Sequence, residues 1–241
     1  MVFQCDSKEY IMKKIGLIGG ITWQSTQLYY HHLNTLIAEE LGAQHSCECI
    51  IESVDFAKIS AQQAVGNWDD LHNQMLEIGL RLQAAGAEMI VICANTMHLS
   101  VPVMEAKIQI PIVHIAAVTG AVIKRSGFRK VLLLGTKFTM ELDFYKNILQ
   151  SNFGIEVLVP SKEDRETVHA IIYQELAKGI IKKESKQVYL KIIDSGIANG
   201  AEAVILGCTE IPLLIQQEDC TILAVDTTKE HAKAAIALAL S

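Results

Sequence analysis

Ile15-Gly16-Leu17-Ile18-Gly19-Gly20, preceded by Lys13-Lys14, has a counterpart in Val131-Leu132-Leu133-Leu134-Gly135-Thr136, preceded by Arg129-Lys130. The two stretches start 116 residues apart. A second pair, Gly86-Ala87-Glu88-Met89-Ile90-Val91-Ile92 and Gly200-Ala201-Glu202-Ala203-Val204-Ile205-Leu206, starts 114 residues apart. Two matches at nearly one spacing mark two related half-chains. Each matched stretch is a continuous apolar run rather than an alternating one, the pattern of a strand buried on both faces.

Working outward, further short apolar runs predict strands at Cys49–Val54, Ile110–Ile115, Ile155–Val159 and Ile222–Val225. Stretches of helical period lie between: Gln24–Leu41, Asp69–Ala85, Met140–Asn152, Glu163–Gly179 and Lys182–Asn199. The expected fold is α/β, with two pseudo-symmetric parallel-sheet domains and a site in the cleft between them. The expected division is a tail at 1–11, a first domain of 12–116 plus 225–241, and a second of 117–224. Met12 is a candidate start, and the final strand and helix are expected to return to the first domain.

The 241 residues are 50% hydrophobic and 20% charged, ample material for a core of this kind. A net charge of −6 speaks against nucleic acid or an anionic membrane surface as partner, since both reward clustered Lys and Arg. No apolar run reaches bilayer-spanning length, and the N-terminus lacks a signal-peptide layout. Six cysteines without regular spacing form no disulfide framework. The expected location is the cytoplasm.

The second repeat also aligns the residues just past each strand: Cys93-Ala94-Asn95-Thr96 lies opposite Gly207-Cys208-Thr209-Glu210. Strand carboxyl ends are where α/β proteins place ligands, and small hydroxyl and amide groups at helix starts suit a carboxylate. Cys208 is the leading chemical candidate, as a thiol on a strand-to-helix turn whose pKa a helix start would lower. The repeat pairs Ala94 with Cys208, so Cys93, one place upstream, is expected to point into packing. The glycine turn Gly19-Gly20-Ile21-Thr22-Trp23-Gln24 reads equally as close chain packing or as a carboxylate cradle; it matches no nucleotide-binding glycine motif. Cys47-Glu48-Cys49 has no second pair at zinc spacing, and the eight histidines make no metal-binding pattern, so no metal is expected. His98 is either a cleft residue or a core histidine.

At Gly19-Gly20-Ile21-Thr22-Trp23-Gln24-Ser25-Thr26, Asn95-Thr96-Met97-His98 and Gly207-Cys208-Thr209-Glu210 the chain resembles the aspartate/glutamate racemase family, its aspartate and broad-range amino-acid branch above all. The resemblance runs from about Lys13 to the C-terminus and includes Ser53-Val54-Asp55-Phe56 and Leu134-Gly135-Thr136. It implies a homodimer and a racemase that needs no pyridoxal phosphate or other cofactor and acts on a small amino acid, aspartate or glutamate first. Racemisation takes the Cα proton from one face and returns one to the other, so two acid/base groups are needed. The family supplies two cysteines, one directly before Asn-Thr and one before Thr-Glu. Cys208 matches the second; Ala94 stands at the first, leaving Cys93 as the other thiol to consider. The resemblance further implies that Asn95, Thr96, Thr136 and Thr209 hold the substrate's carboxylate and amino groups, with Gln63 near its side chain. A side-chain carboxylate would call for a cation, with Lys58, Lys137, Lys178, Lys182 and Lys183 available. Because Ala94 carries no proton, the alternatives are a single-cysteine decarboxylase of malonate-type acids or a non-catalytic amino-acid-binding relative.

Overall fold

The computed structural model describes residues 12–241; the expected tail lies outside the described residues. Two four-stranded parallel sheets form its frame. The first contains β1 (Ile15–Gly19), β2 (Cys49–Ser53), β3 (Met89–Ile92) and β4 (Ile112–Val113) in the order β2-β1-β3-β4. The second contains β5 (Lys130–Gly135), β6 (Glu156–Leu158), β7 (Ala203–Gly207) and β8 (Leu223–Asp226) in the order β6-β5-β7-β8. Identical strand order in the two sheets is the physical content of the sequence repeat. The chain folds as two pseudo-symmetric α/β domains.

Helices cover both faces of each sheet. In chain order they are α1 (Trp23–Leu41), α2 (Phe56–Ala64), α3 (Trp68–Ala84), α4 (Val101–Glu105), α5 (Ile115–Arg125), α6 (Lys137–Glu141), α7 (Asp143–Phe153), α8 (Lys162–Gln174), α9 (Lys183–Ala198) and α10 (Thr227–Ala239). None of the described helices is long and apolar enough to cross a membrane.

Alternation along β3 shows why its run is apolar throughout. Ile90, Ile92 and Ala94 face a core with Leu71, Met75 and Ile78 of α3, whereas Met89, Val91 and Cys93 face a core with Tyr29 and Leu33 of α1 and Ala232 and Ala235 of α10. The second sheet repeats the arrangement. Val204, Leu206 and Cys208 face Tyr189, Ile192 and Ile193 of α9, and Ala203 and Ile205 face Tyr145 and Leu149 of α7.

The last strand departs from expectation. β8 pairs in parallel with β7, Ala203 opposite Leu223 and Leu206 opposite Asp226, and so completes the second sheet. Only α10 crosses back, laying Ala232, Ala235, Ile236 and Ala239 on the first sheet's outer core. The reason is sheet closure: without β8, β7 would be an edge with unpaired backbone groups along an apolar strand. Asp226 ends the strand and caps α10, accepting from the backbone N–H groups of Thr228 and Lys229.

Candidate functional site

Strand order 2-1-3-4 reverses direction between β1 and β3, and the matching reversal in the second sheet lies between β5 and β7. Loops leaving such adjacent strand ends diverge, opening a crevice at the carboxyl edge. Here the two crevices face each other. One cavity is lined by Ile21 and Thr22 after β1, Ala94, Asn95 and Thr96 after β3, Thr136 after β5, and Cys208, Thr209 and Glu210 after β7. Phe56, Gln63, Ile172, Tyr173 and Ala177 complete it. It is a concave site of mixed apolar and polar lining with a few convergent polar groups, the character of a small-molecule site.

Of the residues singled out in the sequence, Cys208, Asn95, Thr96, Thr136, Thr209 and Gln63 all line this cavity. Cys93 does not. It is fully buried against Ile15, Leu17 and Tyr29 on the opposite face of β3, and its backbone N–H donates to Ile18 O in the ladder. Burial first, and the nearby Cys49 second, push its thiol pKa up. A one-residue shift to bring Cys93 round would put Ala94 into that core and break the β1–β3 register. His98 is likewise a core residue, fully buried, with Nδ1 bonded to Ala94 O at 2.8 Å. None of Lys58, Lys137, Lys178, Lys182 and Lys183 lines the cavity; Lys58 borders a separate surface hollow with Glu77 and Arg81, and Lys182 pairs with Glu175.

The glycine turn is a packing device. Gly20 sits at φ +84, and a Cβ there would collide with the Val54 carbonyl oxygen. Its N–H donates to Thr26 Oγ1 at 2.7 Å, so the group a carboxylate cradle would use is already engaged. The turn delivers Thr22 instead, whose side chain caps α1 by accepting from Ser25 N and donates to Glu210 Oε1 at 3.0 Å across the domain boundary.

Glu210, quoted in its motif but not chosen from the sequence as a functional residue, is the hub of the polar wall. Its Oε2 accepts from the Cys208 thiol at 2.8 Å and from Thr209 Oγ1 at 2.7 Å. The expectation of a lowered Cys208 pKa is reversed. Burial raises it well above the ordinary thiol value, and the Glu210 charge and hydrogen bond add to that. Backbone N–H groups of Glu210 and Thr209 act the other way but are outweighed. The helix start that would have opposed this is too small: Cys208 is followed only by a three-residue 3₁₀ segment, Ile211–Leu213.

The remaining hydroxyls join the domains. Thr96 Oγ1 meets Thr136 Oγ1 at 3.0 Å and Thr139 Oγ1 at 3.2 Å, and Asn95 Nδ2 donates to Thr227 Oγ1 at 3.2 Å. Gln63, on α2, accepts from Tyr173 of α8 at 3.4 Å. Tyr173, Ile172 and Ala177 carried no sequence signal, because they belong to neither repeat motif and reach the cavity only through the packing of α8 and the turn after it. Among the described residues no group of three or more His, Cys, Asp or Glu side chains is arranged to hold a metal ion.

Comparison with known proteins agrees with this architecture. A crystal structure of a candidate Asp/Glu racemase from Yersinia pestis is 43% identical with a TM-score of 0.89, covering 95% of this chain and 100% of that one. An aspartate racemase homologue from Pyrococcus horikoshii is 38% identical with a TM-score of 0.83, covering 95% and 100%. The broad specificity amino-acid racemase RacX of Bacillus subtilis is 19% identical over 72% of this chain and 74% of its own. The Asp/Glu/hydantoin racemase family model matches residues 18–235, nearly the whole of both domains. The chain belongs to the Asp/Glu/hydantoin racemase family.

Proposed function

We propose that this protein is a cofactor-independent amino-acid racemase in which Cys208 handles the Cα proton on one face of the substrate. The observation that carries the proposal is a thiol lining an interdomain cavity with its proton already donated to a buried carboxylate, Glu210, at 2.8 Å. Passing that proton to Glu210 Oε2 leaves a thiolate beside the substrate. The thiolate accepts the Cα proton, and the hydroxyls of Thr96, Thr136 and Thr209 with the Asn95 amide hold the substrate carboxylate as charge builds on it. The matching position across the pseudo-twofold is Ala94, whose methyl transfers no proton, so the proton for that face comes from water. The hydroxide left behind is neutralised by the proton held on Glu210, which restores the resting thiol and carboxylate. Following the family resemblance, the Cys208 side serves the L-enantiomer. Exchange of L-substrate is then faster than exchange of D-substrate.

Proton NMR of separate L- and D-amino acids in D₂O tests this. L-substrate loses its Cα proton signal with the wild-type protein and with Cys93→Ser but not with Cys208→Ser. Ala94→Cys raises D-enantiomer exchange by roughly 10²-fold or more, the usual worth of a positioned acid/base group. Exchange that persists in Cys208→Ser refutes the assignment. Release of CO₂ from a substituted malonate, with no Cα exchange of any amino acid, establishes the decarboxylase instead.

A further inference from the structure

The cavity divides into two unlike halves. The polar half is the cluster of Asn95, Thr96, Thr136, Thr209 and Glu210 at the strand ends. The other is a mainly apolar wall built by Ile21 from the first domain's glycine turn, Phe56 from the start of α2, and Ile172, Tyr173 and Ala177 from α8 and the turn after it, with the uncharged Gln63 amide beside Tyr173. Phe56 and Tyr173 stand with ring centroids 6.2 Å apart, so the wall is continuous across the domain boundary. The Tyr173 hydroxyl is turned to Gln63 and its burial raises its pKa, keeping it neutral.

An α-amino acid has one ammonium and one carboxylate at its reacting end, and the polar half matches both. Its hydroxyls and amide suit the carboxylate, and the Cys208–Glu210 pair, which shares one proton between thiol and carboxylate, supplies the single negative charge that an ammonium requires. The side chain is left to the apolar wall. A second carboxylate placed there would be taken from water with no cation to receive it, since no Lys or Arg lines the cavity among the described residues. It would also sit in the same small cavity as the negative charge shared by Cys208 and Glu210. Desolvation and like-charge repulsion both act against it.

Resting on the racemase reading above, we infer that the substrate of this site is an amino acid with an uncharged, mainly apolar side chain, not aspartate or glutamate. Discrimination then comes from the Ile21, Phe56, Ile172, Tyr173 and Ala177 wall. Ala177 is the smallest of these and is half-buried on a short turn, the position of the wall with the most room for a larger side chain by residue size.

The test is Cα–H exchange in D₂O for L-methionine, L-leucine and L-glutamine beside L-aspartate, L-glutamate and L-lysine, at matched concentrations. Methionine or leucine should exchange with a kcat/KM about a hundredfold above aspartate, the scale expected for burying an unpaired charge. In Ala177→Lys the ratio should shift towards aspartate by at least tenfold, with exchange of the apolar amino acids reduced. Faster exchange of aspartate, glutamate or lysine than of any neutral amino acid would overturn the inference while leaving the racemase reading intact. Exchange of none of the six would overturn both.

Discussion

At Cys208 three influences on one proton point the same way: burial, the Glu210 charge, and the hydrogen bond to Glu210 Oε2. The thiol is therefore held protonated at rest, and under the racemase mechanism proposed above its action as a thiolate depends on Glu210 accepting the proton. This separates two roles of one carboxylate, which Glu210→Gln pulls apart. Removing the charge lets the thiol pKa fall towards the ordinary range, so iodoacetamide labelling of Cys208 at pH 8, followed by peptide mass spectrometry, should speed up by about tenfold. Removing the acceptor should slow Cα exchange by roughly 10²-fold or more in the same variant. A variant that labels faster and exchanges as fast as wild type would show that Glu210 only suppresses the thiol. Much of this was visible in the sequence, where Cys208-Thr209-Glu210 stands at a strand end. The direction of the shift was not, because a raised pKa comes from burial and from where the Glu210 side chain folds back, and neither is written in residue order.

The elements were legible to different degrees, for reasons that depend on what surrounds them. All eight strands occur where apolar runs predict them; β1, β3 and β7, covered on both faces, carry no charged position, whereas the edge strands β2 and β6 are only partly buried and carry Glu52 and Glu156. The helix expected at Met140–Asn152 is two, α6 and α7, broken at Leu142, whose ψ of 144 leaves the helical region. Short α2, between Asp55 and Val65, went unpredicted, although Asp55 caps it by accepting from Ala57 N. Register in space was the least legible. The return of α10 to the first domain follows the sequence reading, but the pairing of β8 with β7 does not, because the local sequence of β8 is compatible with either sheet. The glycine turn after β1 is the element on which the site most depends, because it sets Thr22 against Glu210. At Gly20 a side chain would meet both a left-handed φ and the Val54 backbone, with a Cβ 2.5 Å from Val54 N. Gly20→Ala should cost at least about 2 kcal/mol in urea or guanidinium unfolding. A loss below about half a kcal/mol would mean the turn relaxes and does not fix Thr22.

On the scale of the whole molecule, the chain passes between domains at two places, with half-buried His114 at one and fully buried His231 at the other. His114 ends the segment leaving β4 and caps α5 by accepting from Ala116 N; His231 lies on α10, where Nε2 donates to Val113 O at 2.7 Å and Nδ1 accepts from the Tyr29 hydroxyl at 2.8 Å. His98, on the turn that carries Asn95 and Thr96, lies between the other two histidines, its ring tilted to His114 at a centroid distance of 4.9 Å and edge-on to His231 at 5.3 Å. Burial is the first cause lowering all three pKa values, to about 4 for His114 and His231 and well below the ordinary value for His98. In the unfolded chain these groups titrate near 6.5, so below that pH the unfolded state binds more protons than the folded one. Their contribution to stability is complete above about pH 6.5 and is lost as pH falls towards 4. Each such histidine adds up to about 1.4 kcal/mol per pH unit to the slope. Half-buried His32 and His169 shift in the same direction and add to it. Carboxylates whose pKa is lowered, such as Asp219 and Glu175, act only in more acid solution, leaving the interval from pH 6.5 to 5 to the histidines. The unfolding free energy should therefore fall steeply between pH 6.5 and 5 in urea titrations. His114→Asn keeps a side-chain cap for α5 while removing one titrating ring. Its slope over that interval should be shallower by about one proton. A wild-type stability that is flat from pH 7.5 to 5, or an unchanged slope in His114→Asn, would mean that these rings are hydrated or charged in the folded protein. The junction that aligns Cys208 with the Ala94 side of the cleft would then be held by something other than a dry, neutral histidine cluster.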